Sequence, residues 1–482
     1  IILNGGIFMG LKIYNTLTRN KDDFKPIHEG NVGMYVCGPT VYGPPHVGHA
    51  RSYIVFDLLY RYFLYNGYKV KYVQNITDVG HLVGDADEGD DKIQKKAILE
   101  KLDPVAVAYK YENMYFDCMA KLNVLKPTIS CRATGHIIEI IDAVKTLIDK
   151  GYAYVTDAGN VYYDVRKFKG YGKLSGRTLD DTVSGERIEI ADDKRNPEDF
   201  ALWKKADPTH LMKWPSPWGE GYPGWHIECS VMSRKYLGDT FDIHGGGMDN
   251  VFPHHECEIA QSEALTGKPF VNYFVHNNLI TRNGQKMGKS LGNTVDLDEL
   301  FEKYGPTFVR LYIVKNHYRS VLDFSDDQLE ETRKTYDKFV NLVEITEKYK
   351  DLDVSDSKYE DVDDMKKRFL EAMDDDLNTA VAIAVLLEMV KEANKSKNVD
   401  NKKLAYIRKV FDDLAGNILG LKFEVQITAS NDNLDKLVKS IIDVRNTFKA
   451  NKQYEYSDLI RDKLKENAIS IIDTKDGAKI EF

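Results

Sequence analysis

The chain has 482 residues, enough for about three domains, and 43% hydrophobic and 29% charged residues are typical of an ordinary globular protein. Its formal net charge of −9 argues against bulk attraction to nucleic acid, so any RNA partner needs a local basic face. Five scattered cysteines predict a reducing, cytoplasmic environment and no disulfide framework. The sequence shows neither an apolar run near the roughly 18 residues that span a bilayer nor a basic secretory n-region, so we expect no membrane association.

The first predicted elements are a strand at residues 33–36, a turn rich in glycine and proline, and a helix at residues 50–63. In α/β proteins such a loop lies at the carboxyl end of a parallel strand, where a helix N-terminus favours phosphate. We interpret Gly48 as a point of close approach for a ligand ring, and His46 and His49 as donors to phosphate oxygens. Alone, the segment of residues 46–49 is more typical of a turn with two surface histidines.

The next predicted strand lies at residues 69–74 and ends at residues 75–78. Together with the first strand and helix it completes a βαβ unit. The next patterns predict, in order, a loop, two helices and a hairpin, at residues 80–91, 92–123, 132–150 and 152–163. We interpret residues 118–213 as an insertion into the nucleotide-binding fold.

The main fold resumes near residue 215, with a helix predicted through residue 236 and a strand at residues 241–244. Three glycines at 245–247 close this strand and indicate backbone in close contact with a ligand. A helix is predicted at residues 253–265 and a further strand at residues 270–276.

A glycine-containing loop with two lysines, Lys286 and Lys289, follows the last of these strands. Two positive charges suit a triphosphate and its departing pyrophosphate. In isolation, the loop is more typical of a solvated basic segment. Nucleotide binding is indicated instead by the order and spacing of this loop relative to His46 and His49.

The remainder of the chain has helical apolar spacing and predicts a helical bundle, with Asn378 as the N-cap of one helix. The predicted helices lie at residues 298–315, 326–349, 365–372, 379–393, 402–419, 434–448 and 457–465. Residues 469–480 alternate around a turn at Asp476-Gly477. A basic face is predicted near the end of the chain, with two tyrosines that can stack on RNA bases. Its residues are Lys436, Lys439, Arg445, Lys449, Lys452, Tyr454 and Tyr456. For each single lysine, a solvated helix face is about as typical.

Four side chains from three separate segments make a chemically sensible tetrahedral zinc set of two thiolates, an imidazole and a carboxylate: Cys37, Cys229, His254 and Glu258. The last two are four residues apart on one helix and share a face. Spacing alone does not choose them over their neighbours His255 and Cys257. Each cysteine singly is more typical of a small buried hydrophobe.

The two nucleotide motifs, in this order and about a domain apart, resemble those of class I aminoacyl-tRNA synthetases. Five further segments resemble the cysteinyl-tRNA synthetase family in particular: residues 35–42, 75–78, 224–230, 244–247 and 253–256. The resemblance runs from about residue 12 to the C-terminus, where residues 457–464 and 473–474 resemble the family's tail. Val47, Gly288, Asn467 and Phe482 depart from the family pattern, in which Ile, Ser, Gly and Trp are usual.

The resemblance implies an α/β fold: a Rossmann-like catalytic domain with an inserted connective subdomain, then a helical bundle and a small mixed α/β anticodon-binding domain. The implied limits are 10–117 and 214–297 for the catalytic domain and 118–213 for its insertion. A helical region that contacts the tRNA stem spans 298–345, the helical bundle spans 346–425, and the anticodon-binding domain spans 426–482. It also implies a ligase that activates L-cysteine with ATP and Mg²⁺ and transfers it to tRNA(Cys). We expect a cytoplasmic monomer with one Zn²⁺ per chain.

The resemblance also implies roles for individual residues. The implied metal ligands are Cys37, Cys229, His254 and Glu258. The phosphate and adenylate residues are His46, His49, Lys286, Lys289, Gly38, Thr40 and Gly48. The residues expected around the amino acid are Thr40, Thr77, Trp225, His244 and Asp249, with simple packing the alternative for Trp225 and His244.

Two other functions stay open on the sequence. A mycothiol-type ligase would join cysteine to an amino-sugar and would need no RNA-binding tail, whereas about 50 residues here follow the bundle and resemble one. A non-catalytic, synthetase-like RNA-binding protein should have lost its phosphate-binding residues, and this chain keeps the histidines and the lysines of both motifs.

Overall fold

The computed structural model describes residues 10–80, 91–178, 193–288, 292–423, 431–466, 470–474 and 477–481. The chain forms two compact units, Ile1–Phe423 and Glu424–Phe482. No helix within the described part is long and apolar enough to cross a membrane.

A five-stranded parallel sheet forms the centre of the first unit. Its spatial order is Val271–Asn277, Phe241–Gly247, Asn31–Val36, Lys69–Ile76 and Ile129–Arg132. The chain first builds the sheet on one side of Asn31–Val36 and later returns to its other side. The strand order therefore reverses beside Asn31–Val36, which opens a crevice at the carboxyl ends of the strands. The predicted Rossmann-like arrangement is confirmed.

Two strands of this sheet differ from the prediction. The strand predicted to end at His244 runs on through the three glycines to Gly247. The backbone of Gly245 packs closely against Phe56. A side chain would not fit at this position, because an added Cβ would lie 2.3 Å from the Phe56 ring. The strand Ile129–Arg132 pairs with Lys69–Ile76, although it lies in the segment assigned to the insertion.

Two long helices that were predicted as continuous are each broken. Residues 92–123 form Lys92–Glu100 and Pro104–Lys121, because Lys101 adopts a left-handed conformation and Asp103 caps the second helix. Residues 298–315 likewise form Leu297–Tyr304 and Pro306–Val314, with Gly305 at φ 81° between them. The apolar spacing continues across both breaks, so periodicity alone does not reveal them.

The helix Val47–Tyr65 follows the strand Asn31–Val36 and packs against the neighbouring strands of the central sheet. In the inserted segment, the predicted hairpin is confirmed as Ala153–Val155 with Val161–Tyr163. It belongs to a four-stranded antiparallel sheet with Phe200–Lys205 and Gly221–Pro223. The helix predicted from residue 132 begins later, as Ile137–Asp149, after a strand and a 3-10 turn.

The helices that carry the crevice residues are Trp225–Leu237 and Glu256–Thr266, the latter ending at left-handed Gly267. A small sheet of Ile280–Arg282, Gln285–Lys286 and Leu322–Phe324 carries the start of the lysine loop.

The rest of the first unit is a helical bundle, as predicted. Its helices are Asp326–Glu347, Glu360–Asp374, Thr379–Ser396 and Asn401–Phe411. Asn378 accepts a hydrogen bond from the backbone N–H of Val381, which confirms it as an N-cap.

The second unit is mixed α/β, as predicted. The helices Asn431–Ala450 and Tyr454–Glu466 precede an antiparallel pair of strands, Ser470–Thr474 and Gly477–Glu481. Lys439, Lys449 and Lys452 are exposed, whereas Arg445 is 1% exposed and cannot belong to the predicted basic face. Asn467, Asp476, Phe482 and the Lys436 side chain lie outside what the structure describes.

Candidate active site and metal centre

The crevice beside the first strand collects the predicted metal ligands. Cys37 directly follows that strand, and its backbone N–H donates to the carbonyl of Gly245. Cys229 lies in the first turns of Trp225–Leu237, while His254 and Glu258 flank the start of Glu256–Thr266. Three chain segments that are distant in sequence therefore place their side chains together.

The four side chains are close enough to share one ion. Their ligand atoms all lie within 4.8 Å of one another. Cys37 Sγ is 3.9 Å from Cys229 Sγ and 3.6 Å from Glu258 Oε1, and His254 Nε2 is 3.1 Å from the same oxygen. Ligands of a tetrahedral zinc, at bond lengths of about 2.0–2.3 Å, lie roughly 3–4 Å apart. The donor set therefore fits zinc in chemistry and in spacing.

A second set shares two of these ligands. Cys37 and Glu258 also lie within 4.8 Å of the ring nitrogens of His244 and His255. His255 Nε2 is 3.3 Å from Cys37 Sγ, and His244 Nε2 is 2.8 Å from Glu258 Oε2. Cys257 is in neither set and lies instead 3.5 Å from the hydroxyl of Tyr171. Geometry alone thus excludes Cys257 but accommodates both histidine choices.

Aromatic and imidazole rings orient these ligands. Trp225 stacks on the His254 ring with centroids 4.2 Å apart. His254 Nδ1 lies 2.8 Å from Nδ1 of His226. A separate contact chain joins Thr16 Oγ1 to His276 and His276 to His255, each at 2.7 Å. Such outer contacts fix ring orientation, as is usual around metal-ligating histidines.

Burial sets the ionisation of the ligand-free cluster. It raises the pKa of Cys37 well above the ordinary thiol value, and the neighbouring Cys229 and Glu258 add to this. Burial also raises the pKa of Cys229. It lowers the pKa of His255 well below the ordinary value and that of His276 to about 3. Without a cation the thiols are thus protonated and these imidazoles neutral, so a metal must displace protons to bind.

The nucleotide histidines form an N-terminal cap on Val47–Tyr65. His46 Nδ1 accepts from the backbone N–H of Gly48 at 3.1 Å, and His49 Nδ1 accepts from that of His46 at 3.0 Å. Because a backbone N–H can only donate, each Nδ1 is an acceptor, and the neutral rings carry their proton on Nε2. Both half-buried rings, 3.9 Å apart, therefore offer an Nε2 donor at a helix N-terminus.

The lysine loop returns the chain to this same helix start. Val47 N–H donates to the carbonyl of Val295, and Leu297 N–H donates to that of Pro45. Asn293 closes the loop, since its side chain bonds the backbone of both Gly288 and Lys286. The Lys286 side chain is exposed. Lys289 lies outside the residues that the structure describes.

A hydrogen-bond network links the glycine turn to the metal cluster. Gly38 N–H donates to Asn75 Oδ1 at 2.7 Å, and this oxygen lies 3.7 Å from Cys229 Sγ. Gly38 has no room for a side chain, because an added Cβ would lie 1.5 Å from the Asn75 carbonyl oxygen. Thr40 and Thr77 form a parallel bridge beside it.

The other predicted substrate residues divide between interior and rim. His244 is fully buried and bonds Glu258, so it orients a predicted metal ligand. Asp249 is exposed in a 3-10 turn that follows the glycine-rich strand.

Sequence reasoning missed Asn75, His226, Glu228 and His276 as members of the site. The first three lie inside segments that carry the family resemblance, which was a usable signal. His276 ends a strand pattern and offered no such signal, because only the tertiary fold brings it to His255.

Comparison with known proteins follows the same outline. A family model described as the tRNA synthetases class I (C) catalytic domain matches residues 23–334, and a DALR domain model matches residues 368–424. The cysteine–tRNA ligase of Chlorobaculum tepidum is 51% identical over 97% of this chain and 98% of its own length. That of Thermus thermophilus is 46% identical over 98% and 99%.

Solved structures agree on the fold. A methionyl-tRNA synthetase of Mycobacterium tuberculosis in complex with methionyl-adenylate superposes with a TM-score of 0.60 at 15% identity, covering 81% of this chain and 92% of that one. At that identity the likeness concerns the fold alone. The sequence relatives go further, because they match nearly the whole chain at about half identity. The chain belongs to the cysteinyl-tRNA synthetase family of class I aminoacyl-tRNA synthetases.

Proposed function

We propose that this chain is a cysteine–tRNA ligase. It activates L-cysteine with ATP to form cysteinyl-adenylate and pyrophosphate, and then transfers the cysteinyl group to the 3′ end of tRNA(Cys). The observation that carries the proposal is the meeting of a thiol-rich ligand cluster with the glycine turn of a class I catalytic domain. The test is cysteine-dependent ATP–pyrophosphate exchange, with and without tRNA. Absence of exchange from a folded preparation would contradict the proposal.

Catalysis of the first step is positioning and charge stabilisation, since the chemistry needs no covalent enzyme intermediate. His46 and His49 donate from Nε2 to the phosphates of ATP, and Gly48 allows close approach. Lys286 and Lys289 stabilise the negative charge that develops on the phosphate and on the departing pyrophosphate. Mg²⁺ accompanies ATP. Gly38 and Thr40 shape the adenylate site.

The metal proposal is one Zn²⁺ per chain held by Cys37, Cys229, His254 and Glu258. Two soft thiolates favour this set over the alternative with His244 and His255, which contains only one. A bound zinc would favour the soft sulfur of cysteine over the oxygen of serine. The set is also shielded from solvent, because Cys229, His254 and Glu258 are each at most 1% exposed.

The remaining substrate contacts follow from position. Trp225 covers His254 and forms a wall beside it, and Thr77 presents its hydroxyl beside the glycine turn. Thr40 lies next to Thr77, and Asp249 lies at the rim. His244 acts mainly through Glu258.

The RNA partner is tRNA(Cys), with the second unit as the anticodon reader. Exposed Lys439, Lys449, Lys452, Tyr454 and Tyr456 supply charges and stacking surfaces for unpaired bases. The mycothiol-type alternative fits less well, because the chain retains this unit and matches tRNA ligases over nearly its whole length. We further propose that the enzyme is a cytoplasmic monomer.

A further inference from the structure

Arg51 is a buried arginine that the proposed mechanism does not use. It lies on the helix Val47–Tyr65, two residues after His49, and is 1% exposed. Burial lowers its pKa to about 10, so the guanidinium stays charged near neutral pH and its N–H groups all donate. No carboxylate of the described chain forms an ion pair with it. A buried charge without a counter-charge is unfavourable, and an apolar side chain would pack here without that penalty. Packing therefore does not explain the arginine.

Four backbone carbonyls surround the guanidinium of Arg51. All of them belong to residues 313–324, here named the linking segment, which runs from the end of one helix through a loop to the strand Leu322–Phe324. Nη1 and Nη2 of Arg51 donate at 2.9 to 3.1 Å to the carbonyl oxygens of Ile313, His317, Tyr318 and Ser320. A planar guanidinium can meet several acceptors in a fixed geometry, whereas an ammonium group is a single point. Arg51 thus fixes the linking segment against the helix that follows the nucleotide histidines.

The linking segment in turn holds the chain that enters the lysine loop. The backbone N–H of Asn278 donates to the carbonyl of Tyr318 at 2.9 Å. The side-chain amide of Asn278 donates to the carbonyl of Arg319 at 2.8 Å. The Tyr318 carbonyl therefore accepts from both Arg51 and Asn278, so one backbone group joins the histidine helix to the segment that leads to the lysines.

Strand pairing extends this connection to the lysine loop itself. Leu322–Phe324 pairs in parallel with Ile280–Arg282, and that strand pairs with Gln285–Lys286. Asp323 also accepts a hydrogen bond from the hydroxyl of Thr281 at 2.7 Å. The contacts from Arg51 to Lys286 are thus continuous and consist of backbone pairing and short hydrogen bonds.

The other side of the linking segment is held by the helical bundle. Asp376 lies in the turn before Thr379–Ser396 and is 1% exposed. It accepts from the hydroxyl of Tyr318 at 2.5 Å and from Nε of Arg319 at 2.7 Å. The segment therefore has its carbonyls on Arg51 and its side chains on Asp376, which leaves it little freedom to shift.

We propose that Arg51 is a positioning residue that sets the distance between the two nucleotide motifs. It acts through the linking segment and not on the substrate. This inference rests on the proposed function, in which His46, His49 and the lysines act on one triphosphate at the same time. A misplacement of catalytic groups by about 1 Å can lower a rate roughly a hundredfold, so the spacing of the motifs governs the rate. The affinity for cysteine, which binds elsewhere in the crevice, does not depend on Arg51.

The test uses Arg51→Lys in the full chain, which keeps the charge but loses the planar fork. Pyrophosphate exchange is measured with ATP and cysteine varied separately. The kcat should fall by about ten- to a hundredfold, while the KM for cysteine should change by less than about twofold. Hydrogen exchange of the substrate-free chain, followed by mass spectrometry, gives a readout without catalysis. Peptides covering residues 278–286 should exchange faster than in the wild type, and those covering Asn31–Val36 should not.

A matched control is Arg61→Lys. Arg61 lies on the same helix, is also buried, pairs with Asp57 and donates to two backbone carbonyls, those of Asn123 and Asn417. None of these partners belongs to the linking segment. This variant should keep the wild-type kcat and the wild-type hydrogen exchange of residues 278–286.

Three outcomes decide against the inference. An unchanged kcat in Arg51→Lys overturns it, and so does a raised KM for cysteine at normal kcat. Faster hydrogen exchange in Asn31–Val36 as well would indicate a general structural role and overturns it too. If Arg51→Lys does not fold, Asn278→Asp gives the decision, because it places an acceptor against the Arg319 carbonyl: its kcat should fall in the same way, and an unchanged kcat overturns the proposal. A wild-type chain without pyrophosphate exchange would instead contradict the proposed function, and the hydrogen-exchange comparison would still decide whether Arg51 holds the loop.

Discussion

At the scale of single residues, the crevice works because several side chains have only one hydrogen-bonding role open to them. Backbone N–H groups fix His46 and His49 as Nε2 donors, and Gly38 N–H fixes the amide of Asn75. The donor and acceptor atoms of these side chains are therefore set before any substrate arrives. Such preorganisation is the main resource of an enzyme that forms no covalent intermediate.

The first prediction concerns the lysine loop. Lys289→Ala should slow adenylate formation by the equivalent of roughly 2–4 kcal/mol, the scale for losing one preorganised donor to a developing charge. The affinity for cysteine should change less. Pyrophosphate exchange measures the rate. Lys268→Ala is the control, because this exposed lysine pairs with Asp239 away from the loop and should leave the rate unchanged. A wild-type rate in Lys289→Ala would remove that residue from the mechanism.

The second prediction separates the two ligand sets. Cys229→Ser should reduce zinc from about one per chain to a small fraction of that, since a serine hydroxyl stays protonated and is a poor zinc ligand. His255→Gln should retain the zinc if the set with Cys229 and His254 is correct. Elemental analysis of purified variants is the measurement. Cys131→Ser is the matched control, because Cys131 is also buried but contacts the carbonyl of Gln74 instead of the cluster.

The third prediction concerns rejection of serine, which differs from cysteine only in oxygen for sulfur. A pocket that relies on shape separates such near-isosteres by only roughly 1–3 kcal/mol. After cobalt replaces zinc, cysteine should produce a thiolate–metal charge-transfer band and serine should not. Removal of the metal by a chelator should abolish tight cysteine binding. A metal-free preparation that still binds cysteine and excludes serine would contradict this expectation.

At the scale of elements, periodicity predicted the existence and type of most helices and strands, but not their interruptions. The breaks at Lys101 and Gly305, both at positive φ, separate helices whose buried residues have helical spacing on each side. The strand Ile129–Arg132 is too short to give a clear alternation, and only its pairing reveals its place in the sheet. Local chemistry did predict the cap at Asn378. Long-range contacts such as His255 with His276 carry no local sequence signal.

The fourth prediction tests the glycine-rich strand. Gly245→Ala should destabilise the first unit by about 1–3 kcal/mol, because its Cβ would overlap the buried ring of Phe56. Urea unfolding measures the change. Gly33→Ala is the matched control in the neighbouring strand, since its Cβ would make only an ordinary contact, 3.5 Å from Leu237. Equal stability of the two variants would show that the packing of Gly245 on Phe56 does not restrict this position.

At the scale of the whole molecule, the proposed function assigns amino-acid activation and anticodon recognition to different parts of the chain. Every described residue of the candidate site lies in the first compact unit, while the exposed lysines and tyrosines assigned to the anticodon lie in the second. The net charge of −9 makes a local basic surface necessary, because only a local concentration of basic residues can attract RNA to an acidic protein.

The fifth prediction follows from that division. Deletion of residues 433–482 should leave cysteine-dependent pyrophosphate exchange close to the wild-type rate, because the crevice and both nucleotide motifs remain. Charging of tRNA should fall strongly, since the stacking and basic surface for the anticodon is lost. A full-length variant with Lys449, Lys452, Tyr454 and Tyr456 changed to alanine should show the same split without removing the unit. If either protein charges tRNA with wild-type efficiency, the second unit is not the anticodon reader, and tRNA selection must then rest on contacts made by the first unit.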